Sequence, residues 1–184
     1  MQGQTDIPLN DIGKLQAQQT AHQLRRYPIG VFYTSPLRRA QTTARVIHAY
    51  HQKTPMHIHH TLKERCFGVI EGKTYEEITH EFLSLAFNRS WHHPYVQIPN
   101  GERLIDVYMR GKQFLGETMA KEQGKTIAVI AHGVIIRCMI GFLLDLPLSS
   151  NNWYELNNSS FTMITIPRNG PPEIQFINYT AHLK

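Results

Sequence analysis

Apolar residues recur at helical spacing from Asp11 to Leu24, where Ile12, Leu15, Ala17, Ala21 and Leu24 mark one face and Tyr27-Pro28 stops the run. Val31-Phe32-Tyr33-Thr34 is β-branched and aromatic, and predicts a strand. Ser35-Pro36 then opens a second predicted helix reaching about residue 51, with proline in its first turn. Residues 57–62 predict a short strand, and residues 74–87 a helix with acidic side chains in its first turn. Asn100-Gly101-Glu102 leads into a long amphipathic helix ending near Gly124. Residues 126–131 form a continuous apolar run, the pattern of a strand buried on both faces. His132-Gly133 separates it from an apolar helix over 134–144. Residues 161–166 and 173–179 finish the chain as two strands around the turn at 168–172. Alternation of strands and helices predicts an α/β fold with a mostly parallel sheet.

The 184 residues suit one domain, and no linker, repeat or low-complexity tract divides them. With 41% hydrophobic and 18% charged residues, the chain can bury a core and is not a disordered polymer. Nineteen Lys and Arg against fourteen Asp and Glu give +5, which makes anionic partners plausible. The basic residues are scattered, so no nucleic-acid face is expected. The most apolar run, 134–144, contains Arg137 and is too short to cross a bilayer. Cys66 and Cys138 sit in apolar sequence with no disulfide framework or metal-type spacing, and no signal peptide is visible, so a cytoplasmic setting is expected.

Ligands of open α/β sheets collect where strands end and helices begin. Ser35 to Ala40 follows a predicted strand and brings two arginines to a helix start; His132 follows another, beside Gly133. Glu64 lies in a loop after the short strand. Each alone is unremarkable: a solvated basic turn, a structural histidine, a surface acid.

In this order, however, the segments resemble the histidine phosphatase superfamily, which includes cofactor-dependent phosphoglycerate mutases and fructose-2,6-bisphosphatase. Gln2-Gly3 with Asp6, Pro8-Leu9, Gly13 and Gln16-Ala17 looks like the stretch after that family's first catalytic loop. Ser35-x-Leu37-x-Arg39-Ala40-x-x-Thr43 is similar to its second motif, and Leu62-x-Glu64 with Phe67-Gly68 and Glu71-Gly72 to its acid-bearing loop. Asn100-Gly101-Glu102 resembles its Gly-Glu-Ser element, and Ala131-His132-Gly133 its last motif. The resemblance implies a three-layer sandwich, with helices flanking the sheet and the family's first strand absent. It also implies that Arg39 clamps phosphoryl oxygens, that a protonated His132 neutralises their charge, and that Glu64 protonates the departing oxygen. Gln2, Gly3, Ser35, Phe67 and Gly133 are implied to contact substrate, with Arg65 and Phe67 lining the mouth.

Members of the family begin with an apolar strand running into Arg-His-Gly, whose histidine takes the phosphoryl group. Residues 1–184 contain no such triplet. Two origins stay open: Met1 is an internal methionine of a longer reading frame, which the survival of Arg39, Glu64 and His132 favours, or the chain is a non-catalytic remnant. The expectation is a truncated phosphatase of small phosphomonoesters with little turnover as written, whose uncovered sheet edges invite self-association. Only a short region separates Glu64 from Gly101, where the mutases carry a long insertion holding their bisphosphorylated cofactor. Phosphatase is therefore expected over mutase, with no cofactor. That region, around 73–99, is expected to form a small cap carrying Phe82, Leu85, Phe87, Trp91, His92, His93 and Tyr95. The alternatives are a phosphate-binding or interaction module, and a metal site on His57 and His59, which alternation puts on one strand face.

Overall fold

A computed structural model describes residues 1–81, 93–148 and 155–184. Asn10 opens the first helix, α1 (Asp11–Leu24), by accepting the Gly13 amide on its side-chain oxygen at 2.8 Å. Its buried face is Ala17, Thr20 and Ala21, and these small side chains let α1 lie close against α2 (Arg38–His48). Ile12 and Leu15, expected on that face, are 67% and 52% exposed. At about 100° per residue they stand roughly 140° and 160° around the helix from Ala17.

Between the two helices runs β1 (Ile29–Thr34), the centre of a three-stranded parallel sheet in the order β2-β1-β3, with β2 at Met56–Ile58 and β3 at Thr126–Ile130. Phe32 pairs with Met56 on one side and Ala128 on the other. Alternate β1 residues face opposite layers. Phe32 packs with Ala21, Ile29 and Ile47 under α1 and α2. Val31 and Tyr33 join Leu62, Leu104, Val107, Phe114 and Ile135 beneath α4 (Leu104–Lys121) and α5 (Gly133–Leu143). The result is the expected helix, sheet, helix sandwich.

Three elements depart from the sequence reading. The strand expected over 57–62 stops at Ile58, and His60–Leu62 forms a 3₁₀ turn that drops Leu62 into the core, fully buried. The helix expected over 74–87 is α3 (Tyr75–Glu81) as far as the described residues go, and its continuation lies outside them. β3, expected to be covered on both faces, is only half-buried, because among the described residues it pairs with β1 alone and forms the sheet's outer strand. β4 (Phe161–Thr165) and β5 (Glu173–Tyr179) form a separate antiparallel ribbon. His182, whose ring stacks parallel on Tyr179, ties this ribbon to α1 through the Thr20 hydroxyl at 2.9 Å.

Candidate active site

β1 ends at Thr34 and β3 at Ile130, side by side, so the chain leaving each strand enters the same region above the sheet. Ser35 and His132 meet there: the Ser35 hydroxyl lies 2.8 Å from His132 Nε2. Arg39, in the first turn of α2, donates from Nε to His132 Nδ1 at 3.3 Å, from Nη1 to the Thr5 carbonyl at 2.8 Å and from Nη2 to the Gly3 carbonyl at 2.7 Å. An arginine N–H can only donate, so His132 Nδ1 is the acceptor and Nε2 carries the proton given to Ser35. Burial, with Arg39 and then Arg110 adding their charge, brings the His132 pKa down to about 3. The protonated His132 implied by the family resemblance is therefore not what the structure holds: the imidazole is neutral, because a buried cation beside two guanidinium groups is costly.

Glu64 reaches the same region from the loop after the 3₁₀ turn. Its Oε1 accepts the Arg65 amide at 2.8 Å, and both carboxyl oxygens face the Val134 amide at 3.2 and 3.3 Å, at the N-terminus of α5. Burial pushes its pKa up, against the backbone amides of Arg65, Val134 and Ile135 and the charge of Arg137, which pull it down. A carboxyl held this way gives and retakes a proton more readily near neutral pH than an exposed one. Gly133, the first residue of α5, lies beside Glu64: a Cβ there would lie 3.9 Å from Glu64 Oε2 and 3.5 Å from Arg137 Nη2.

The N-terminal loop supplies the remaining wall. Gly3 has φ +54°, and a Cβ on it would fall 2.0 Å from Glu71 Oε1. Glu71 is the anchor of this loop: it accepts the amides of Gln4 at 2.9 Å, Thr5 at 3.1 Å and Phe67 at 2.9 Å, and the Thr5 hydroxyl at 2.9 Å. Burial raises its pKa, but these donors outweigh it and hold the carboxylate below its ordinary value. Gln2 is exposed and contributes its carbonyl to the Thr5 amide.

The structure thus brings together Gly3, Ser35, Arg39, Glu64, His132 and Gly133. It does not bring Phe67 and Arg65 to a mouth. Phe67 is 6% exposed and packs with Ile70, Ile78 and Ile98, while Arg65 is 1% exposed with its guanidinium carbon 5.5 Å from the Phe67 ring centroid. An aromatic side chain next to a flexible glycine reads as a pocket wall in sequence, but a core of three isoleucines claims it instead. Of the side chains expected in the cap, Phe82, Leu85, Phe87, Trp91 and His92 lie outside the described residues, and Tyr95 faces solvent at 67% exposure. His57 and His59 surround Tyr33, at 5.3 and 6.4 Å between ring centroids, as part of an aromatic cluster. Among the described residues no group of three or more His, Cys, Asp or Glu could hold a metal.

Two functional positions had no role in the sequence reading. Glu71 belongs to the acid-loop motif, and only its four donors reveal it as an anchor. Arg110 carries a readable signal: it stands three residues after Val107 and four before Phe114, a cation in the apolar stripe of α4.

Comparison with known proteins agrees with this geometry. Phosphoserine phosphatase 1 of Hydrogenobacter thermophilus is 31% identical over 183 residues, covering 99% of this chain and 85% of its own length. The structure of YhfR from Bacillus stearothermophilus superposes with a TM-score of 0.89 at 27% identity, over 100% of this chain and 91% of that one. A phosphoserine phosphatase from Entamoeba histolytica, solved with 3-phosphoglyceric acid, gives 0.80 at 29% identity over 100% and 90%. The family model for branch 1 of the histidine phosphatases matches residues 1–180, and with Arg39, Glu64 and His132 gathered above a parallel sheet, the chain belongs to the histidine phosphatase superfamily.

Proposed function

We propose that this chain is the phosphate-holding and proton-delivering part of a phosphatase for small phosphomonoesters, and that residues 1–184 alone turn over little or no substrate. The observation that carries the reading is the convergence of Arg39, His132 and a half-buried Glu64 from three separate segments onto one region. Arg39 has N–H groups beyond those committed to His132, Gly3 and Thr5, and these offer a fork to phosphoryl oxygens. Ser35 orients His132, and an arriving dianion raises the imidazole pKa by its charge, so that His132 gains its proton only with substrate in place. Glu64, protonated, gives its proton to the departing alkoxide oxygen and later takes one from the water that hydrolyses a phosphohistidine. Residues 1–184 have no Arg-His-Gly triplet to form that phosphohistidine.

The named activities of the relatives support a small phosphorylated metabolite as the ligand. The same reading takes residues 1–184 as one domain with a small cap around 73–99, acting in the cytoplasm without cofactor, metal or nucleic acid. Among the described residues β3 keeps an open edge, and this favours self-association.

The test is to extend the chain at its N-terminus by an apolar strand ending in Arg-His-Gly and to assay a chromogenic phosphomonoester. Turnover that appears in the extended chain and is lost in Glu64→Gln is the expected result. A folded, inactive extended chain overturns the reading. The missing triplet favours a second function, a phosphate-binding or interaction module. For that role, inorganic phosphate raises the melting temperature of the unextended chain and the extended chain stays inactive.

A further inference from the structure

Arg110 divides its guanidinium between the segment that carries Glu64 and the Glu102 carboxylate. Nη1 donates to the carbonyls of Thr61 and Lys63, the latter at 2.7 Å, and Nη2 to the Glu64 carbonyl at 3.0 Å. Nε and Nη2 also donate to the two carboxyl oxygens of Glu102, at 2.9 and 3.0 Å. Glu102 grips the same segment independently: its Oε2 accepts the Cys66 amide at 2.8 Å, and its own amide donates to the Cys66 carbonyl at 2.8 Å. Segment 61–66 contains only a short 3₁₀ turn, so its carbonyls have few backbone donors to satisfy them.

We infer that Arg110, steadied by Glu102, is the positioning residue that holds the Glu64 carboxyl against the N-terminus of α5. The inference rests on the reading of Glu64 as the proton-delivering group. Lysine cannot replace this arginine, because one ammonium cannot span Glu102 and three carbonyls on different edges of a planar fork. The charged groups that reach Glu64 are Arg39 from α2, Arg65 beside it, Arg137 from α5, and Arg110 from α4 with Glu102 from the loop before it. The Cys138 thiol, pushed up to about 12 mainly by burial, stays neutral. Arg110→Lys keeps every charge and removes only the fork.

The experiment follows the Val134 amide by NMR across a pH titration of the chain as it stands, since that amide reports ionisation of the carboxyl it faces. In Arg110→Lys the loop slackens, Glu64 becomes hydrated and the titration midpoint falls by about one pH unit toward the ordinary carboxylate value. Glu102→Asp, which keeps charge but shortens the reach, shifts it the same way and decides the matter if Arg110→Lys does not fold. Thr118→Ala trims a buried side chain of the same helix two turns beyond Arg110, outside the core cluster that holds Leu62, and leaves the midpoint in place. An unchanged midpoint in the folded variants, or an equal shift in Thr118→Ala, overturns the inference. Failure of the extended chain to hydrolyse phosphomonoesters would remove Glu64's chemical role while leaving this titration to judge the clamp.

Discussion

Gly68 has φ +52°, and a Cβ on it would lie 2.0 Å from the Pro99 carbonyl oxygen and 2.6 Å from the Gly101 nitrogen. Both obstacles are backbone, so no side chain can swing aside. The two segments are joined by Val69 N–H to Pro99 O at 3.1 Å and Glu102 N–H to Cys66 O at 2.8 Å. Gly68→Ala therefore incurs the left-handed penalty of a residue with a Cβ, about 1–2 kcal/mol. It also pries these bonds apart, at about 1 kcal/mol each. Gly72 is the internal control: its φ is +81° and nothing lies within 4 Å of its Cβ position, so Gly72→Ala meets the conformational term alone. The expected losses are about 3–4 kcal/mol for Gly68→Ala and about 1–2 kcal/mol for Gly72→Ala. At about 2–4 °C per kcal/mol for a chain of this size, melting falls by roughly 10 °C in the first and roughly 4 °C in the second. Urea denaturation followed by circular dichroism measures both. Equal losses would refute the claim that the 66–71 and 99–102 segments are pressed backbone to backbone.

His132, neutral in the fold with a pKa near 3 against about 6.5 when unfolded, costs stability as pH falls from 6.5 toward 3, because only the unfolded chain takes the proton. The slope of up to about 1.4 kcal/mol per pH unit disappears in His132→Gln, and parallel urea midpoints for the two proteins would contradict it. Glu64 acts in the other direction: its raised pKa contributes stability at low pH that is lost as pH rises through its folded value. Glu64→Gln, uncharged throughout, gains on the native chain as pH climbs above 4.5, and a constant difference from pH 4 to pH 8 would rule this out. A chelator leaves the melting temperature unchanged; a fall reversed by zinc would revive a metal site on His57 and His59.

Much of this site is legible in the sequence because its residues follow strands directly. Ser35 and His132 are fixed by where β1 and β3 end, and an apolar run announces each strand. Arg39 follows from the helix that must start after Ser35-Pro36. Side chains whose roles depend on distant backbone are not legible. Ile12 and Leu15 look like core because helical spacing alone cannot choose between two flanks of α1, and the small Ala17, Thr20 and Ala21 make the closer fit. Phe67 reads as a pocket residue until Ile78 and Ile98, far along the chain, are known to surround it. Glu71's task is set by amides at Gln4 and Thr5, which no local pattern connects to it. β3 carries the composition of a strand covered on both sides but, among the described residues, occupies the rim of its sheet, a contrast only tertiary structure exposes.

The bond from Arg110 to the Glu64 carbonyl spans 46 positions of sequence, and this sets an order of events at birth. A ribosome adding about 5–20 residues per second releases the segment around Glu64 several seconds before it finishes α4. Until then the carbonyls of Thr61 and Lys63 lack the guanidinium that satisfies them, the Glu64 carbonyl has only the Gln4 side-chain amide, and the nascent segment stands open to proteases and chaperones. The backbone that carries Glu64 is thus made well before the side chain that clasps it.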